Sequence, residues 1–162
     1  MADAQAAHSP ASMPASSRPL AAILVGGCIV GILDLLYAIV VYSPKRPILI
    51  PQTIASGLLG MKSYDGGAQT AALGVFLHFV IAIGAATVYY LASRKLPLLI
   101  ERAVVCGLIY GALVYAFMHI VVVPLSAAPH SHAHLGYRVA EFIWHWLGVG
   151  LPIALSVRHY SR

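Results

Sequence analysis

The sequence predicts an all-α integral membrane protein, a four-helix bundle with a short interfacial helix between spans one and two. Three observations carry that class. Of the 162 residues, 60% are hydrophobic and 9% charged, with a mean hydropathy of +0.83, where a soluble domain carries about 25% charged residues. Four apolar runs have the length of roughly 20 residues that a bilayer crossing needs. The ten Lys and Arg, against five Asp and Glu, gather at the ends of those runs, as topology anchors do. The sequence has no basic stretch interleaved with aromatics, so the net charge of +5 is assigned to the membrane and not to nucleic acid.

Residues 1–19, rich in Ala, Ser and Pro, have no periodic apolar pattern and are expected to form a disordered tail. The run 20–42 is longer than the apolar region of a signal peptide, and no small-x-small cleavage site follows it before Pro44-Lys45-Arg46-Pro47. It reads as span one of a transmembrane domain covering 20–162. Within the connection 43–66, Pro51 is placed to open a short helix through Met61, with Ile54, Leu58 and Met61 on one side. Such a segment lies on the bilayer surface or re-enters it. Asp65-Gly66-Gly67 is a turn signal, and Asp65 is the expected N-cap of span two.

Span two is expected over about 68–92, ending at Ser93-Arg94-Lys95, and Pro97 marks a tight loop to span three, about 102–123. Pro124, Pro129 and Gly136 bracket a connection carrying His130-Ser131-His132-Ala133-His134. Span four covers about 137–157, with Pro152 expected to bend it by freeing the Gly148 carbonyl. An even number of spans leaves both termini on one side. Arg18, Arg94, Lys95, Arg102, Arg158 and Arg162 then share that side, against Lys45, Arg46, Lys62 and Arg138, which favours cytoplasmic termini.

Each span carries a polar residue: Asp34, His78, His119, and the pair Glu141 and His145. Helices that alternate in direction bring Asp34 and the three histidines roughly 6–15 Å below the same surface, with Glu141 nearer it. Each lies on a stripe with small residues. These stripes are Gly27-Gly31-Asp34-Ala38, Ala71-Gly74-His78-Ala82-Ala85, Gly107-Gly111-Tyr115-His119, and Glu141-His145-Gly148-Pro152. Small residues line the faces on which membrane helices approach one another or a partner chain. A charged side chain turned to lipid costs about 2.5–3.5 kcal/mol. Both arguments direct these residues inward, to a buried polar cluster.

Three readings of the cluster follow from its chemistry. Interhelical hydrogen bonds would fix the packing register and leave a structural or partner-binding subunit. A transition metal or haem would be held by His78, His119 and His145, since bundles hold ligands on facing helices. A proton or ion path would exchange protons between histidines and Asp34 or Glu141. The loop histidines His130, His132 and His134 alternate as residues on one side of an extended chain do, which suits a second metal-binding site or a solvated loop. Trp144, Trp146, Tyr37, Tyr42, Tyr89, Tyr90 and Tyr160 read as interfacial anchors, and Cys28 and Cys106 as small packing residues. Enzymatic chemistry lacks support: there is no GxSxG and no phosphate loop, and no segment outside the spans is large enough for a catalytic domain.

Asp34-Leu35-Leu36-Tyr37-Ala38, Ile54-Ala55-Ser56-Gly57-Leu58-Leu59-Gly60, Val123-Pro124-Leu125-Ser126 and Val149-Gly150-Leu151-Pro152-Ile153-Ala154 resemble segments of small four-span bacterial inner-membrane proteins. That resemblance runs over most of the chain after residue 20. It implies a multi-pass inner-membrane location and a bacterial source, and it brings no activity or site residues with it.

Overall fold

The computed structural model describes residues 18–129 and 134–161. The expected disordered tail up to residue 17 lies outside the described residues, as do His130 and His132. The described chain is all-α, with α1 (Pro19–Tyr42), α2 (Leu49–Leu59), α3 (Gly67–Lys95), α4 (Leu98–Glu101), α5 (Ala103–Phe117), α6 (Val123–Leu125), α7 (Leu135–Trp144) and α8 (Leu151–Tyr160). Four continuous helical stretches are long and apolar enough to cross a membrane: Pro19–Tyr42, Gly67–Lys95, Ala103–Leu125 and Leu135–Tyr160.

Span four packs between spans one and three, and span one packs against span two. Spans two and three close the ring where the Tyr110 hydroxyl donates to the Ala85 carbonyl at 2.7 Å. The Arg18 N–H donates to the Tyr160 carbonyl at 3.1 Å, which brings the start of span one and the end of span four together. That end of the bundle is the Tyr160 end; the connection 43–66, residues 126–129 and His134 lie at the other, the His134 end.

Glycine sets how closely the spans approach. A methyl at Gly27 would stand 2.8 Å from the Ile83 Cα, and one at Gly31 would stand 2.7 Å from the Phe79 ring, so this pair seats α1 on α3. Gly107, Gly111 and Gly150 let the backbones of α5 and span four touch, and a methyl at Gly107 would stand 3.1 Å from the Leu151 Cα. The glycines Gly27, Gly31, Gly107 and Gly111 therefore each meet another span of this chain. The packed core lies toward the Tyr160 end and includes Ala22, Ala86, Tyr89, Ile153, Ala154 and Val157, all almost fully buried.

The helix between the first two spans has an exposed apolar side and a buried small and polar side. Leu58 and Met61 are exposed, and Pro51, Gln52, Ala55 and Ser56 form the buried face. Gln52 Nε2 donates to the Gly67 carbonyl at 3.1 Å, and Gly57 accepts from the Ala127 N–H at 2.9 Å. The helix thus ties span two to the end of span three through its small and polar side. Gly60 and Gly67, at φ 59° and 54°, turn the chain out of α2 and into α3. Asp65 does not cap α3; Gly66 occupies the cap position without a side-chain bond.

Two π-helical turns interrupt the spans, at Met118–Val122 and His145–Gly150. Each is followed two residues later by a proline, Pro124 or Pro152. A proline supplies no N–H to the i→i−4 ladder, and widening the turn before it to i→i+5 bonds lets the helix continue. Ahead of Pro152, where the sequence led to the expectation of a bend, span four carries a widened turn that begins at His145.

Candidate functional site

Asp34 is reached from two sides. Its Oδ1 accepts from Trp144 Nε1 at 2.8 Å, while its Oδ2 stands 3.9 Å from His78 Nε2. Trp144 also stacks flat on Tyr37, with centroids 4.3 Å apart and planes 2° apart. Asp34 and Tyr37 are one turn apart on α1, so span one grips the indole by edge and by face. Gly148 makes room for it: a methyl there would stand 2.6 Å from the indole.

His78 is held by the backbone. Its Nε2 lies 2.9 Å from the Gly31 carbonyl, and because a carbonyl only accepts, Nε2 carries the proton. At 3.9 Å the Asp34 carboxylate is beyond hydrogen-bond range, so this pair interacts by charge once the imidazole is protonated. The missing side chain at Gly31 is what brings α3 this close.

The second group lies between spans three and four. His119 Nδ1 donates to the Tyr115 carbonyl at 3.0 Å, and His145 Nδ1 donates to the Glu141 carbonyl at 2.9 Å. Both bonds run one turn back along the helix and fix the same tautomer, leaving each Nε2 with a lone pair or a second proton. His119 Nε2 stands 3.5 Å from Glu141 Oε2. The Tyr115 ring lies between the two imidazoles, stacked on His119 at 4.1 Å and edge-on to His145 at 5.4 Å.

The five expected residues therefore do not form one cluster. They divide into Asp34 with His78 and Glu141 with His119, and His145 joins the second group through Tyr115. The side chains of the two pairs keep between 12% and 30% of their exposure, so they are half-buried. The reason is helical phase. Glu141 and His145 share a face that meets span three, while Trp144, about 100° around the helix from His145, meets span one. Among the described residues no three His, Cys, Asp or Glu side chains gather as a metal ion would need, which corrects the expectation of a shared His78, His119 and His145 ligand set. Of the loop histidines only His134 is described. It is exposed and precedes α7, where its carbonyl accepts from the Tyr137 N–H at 3.0 Å.

Trp144, Tyr37 and Tyr115 were not singled out from the sequence as site residues. By sequence Trp144 and Tyr37 are expected as interfacial anchors, as is Tyr89, which is 1% exposed and donates to the Leu99 carbonyl. One signal was present: Trp144 and Gly148 stand four apart, an aromatic over a glycine on one helix face. The chain is a small multi-pass membrane protein by its four candidate spans. Comparison with family models, with curated proteins and with solved structures gives no match for it.

Proposed function

We propose that this membrane protein binds and releases protons at two His/carboxylate pairs confined to the His134 half of its bundle. The observation that supports the reading most directly is that each pair, Asp34–His78 and Glu141–His119, bridges two different spans within that half. Histidine exchanges protons near neutral pH, and each of these two imidazoles has a carboxylate of another span 3.5–3.9 Å away. Protonation would then draw α3 toward α1 and span three toward span four, so pH acts on the packing at that end. The Lys and Arg bias supports cytoplasmic termini in an inner membrane, which would turn the paired half toward the outside.

The test is a pH titration of histidine NMR signals in protein reconstituted in nanodiscs. Glu141→Gln and Asp34→Asn are each expected to change how the histidine signals respond to pH. Titration curves that these substitutions leave unchanged would refute the coupling. A second reading, in which the polar residues only link helices, is favoured at one point by the bond from Trp144 to Asp34. It requires Asp34→Asn, whose amide oxygen still accepts from the indole, to behave as the native protein at every pH.

A further inference from the structure

We infer that the groove between spans two and three at the Tyr160 end holds one acyl chain of an anionic phospholipid, with the phosphate seated at Arg94, Lys95 and Arg102. The cavity measures about 350 Å³, and its lining includes Tyr89, Leu99, Cys106, Tyr110 and Leu113. That volume falls within the roughly 300–1,000 Å³ of ordinary ligand sites. Its floor is a pair of tyrosine rings meeting edge to face at 5.0 Å. Both hydroxyls are turned onto backbone, Tyr89 to Leu99 and Tyr110 to Ala85, so the pair offers the groove ring carbon and no free polar group. Leu113 and Ile109 on its rim are 60% and 56% exposed, and they lie along a candidate span. The groove thus opens sideways to the bilayer, whose apolar component is acyl chain.

The headgroup is argued from charge. The groove begins directly beneath the connection between α3 and α5: Ala92 of its lining precedes Arg94 and Lys95 by one turn or less, and the Cys106 N–H bonds to the Arg102 carbonyl. Arg94, Lys95 and Arg102 are exposed, and none of them forms a salt bridge among the described residues. Glu101 is the one acidic residue in that connection, leaving an excess of cations over the mouth of an apolar slot. Basic pockets between spans at the end of a bundle bind anionic headgroups in this way.

Native mass spectrometry of the detergent-purified full chain, mixed with phosphatidylglycerol or phosphatidylcholine of the same acyl chains, tests the inference. Phosphatidylglycerol is expected to stay bound at collision energies that strip phosphatidylcholine. Neutralising Arg94, Lys95 and Arg102 to Gln should lower its retention roughly fivefold per cation. Ala92→Phe, which fills the groove and keeps the cations, should lower retention of both lipids. Equal retention of the two lipids by the native protein would overturn the anionic headgroup, and undiminished retention by Ala92→Phe would overturn the groove. Circular dichroism of each variant confirms that its helices are intact before the comparison is made.

Discussion

The Asp34 carboxylate has neighbours of two kinds, an indole N–H at 2.8 Å and an imidazole at 3.9 Å, and substitution separates what each contributes. Asp34→Ala leaves the Trp144 N–H without an acceptor in an apolar setting. It is expected to destabilise the bundle by about 0.6–1.7 kcal/mol, the range for interhelical hydrogen bonds in membranes, seen as a lower midpoint of thermal unfolding in detergent. Asp34→Asn keeps an acceptor and should stay near the native midpoint at pH 7. Gly148→Ala acts on the same bond from the other side, since its methyl would stand 2.6 Å from the indole and push it off Asp34. We expect a loss of about 1–3 kcal/mol from overpacking, with a shifted Trp144 emission when measured in a Trp146→Phe background. An unshifted emission would show that the indole has room to spare.

Helix contacts depend on a few glycines, and those glycines are unequal. At Gly111 an added methyl would meet the backbone of His145 and Trp146 on span four, with the Trp146 Cα at 2.9 Å, whereas nothing lies within 4 Å of one at Gly84. Gly111→Ala is therefore expected to part spans three and four and to destabilise by about 1–3 kcal/mol or more. Gly84→Ala should fall within about 0.5 kcal/mol of the native protein. Unfolding midpoints of the two variants in one detergent decide the matter, and equal midpoints would contradict the packing described. The contact at Gly111 also carries the site, because it sits one turn from Tyr115 and two from His119. Neither π turn was read from the sequence. Pro152 signalled that the ladder would break, but whether a helix kinks or widens depends on whether a neighbour packs against the widened turn, and here α5 does.

Across the whole bundle the polar groups are one-sided. Among the described residues, Asp34, His78, His119, Glu141 and His145 occupy the His134 half, while the core of the other half is built from residues such as Ala22, Ala86, Ile153, Ala154 and Val157. No Asp, Glu or His joins that core, and its buried Ser156 hydroxyl is already bonded to the Ala22 carbonyl at 3.0 Å. The carboxylates of Asp34 and Glu141 and the imidazoles of His78, His119 and His145 are thus gathered at one end of the bundle. Reconstituted vesicles under a pH gradient are expected to show proton flux no greater than protein-free vesicles, and a flux abolished by His119→Ala would overturn this one-sided picture.

The four crossings, their alternation and the common half in which the polar residues lie were legible in the chain. Each follows from local properties: the length of an apolar run, the punctuation of Pro and Gly, and the rise per residue of a helix. The glycine pairs Gly27 with Gly31 and Gly107 with Gly111 were legible as close-contact faces for the same reason. Which span each face would meet was not, because an apolar stripe packs equally well on several neighbours and lipid supplies no hydrophobic preference among them. The pairing of polar residues inherits that ambiguity. It was settled by the rotation of span four about its axis, which turns Trp144 to Asp34 and, on the neighbouring face, His145 and Glu141 to Tyr115 and His119, dividing one expected cluster into two.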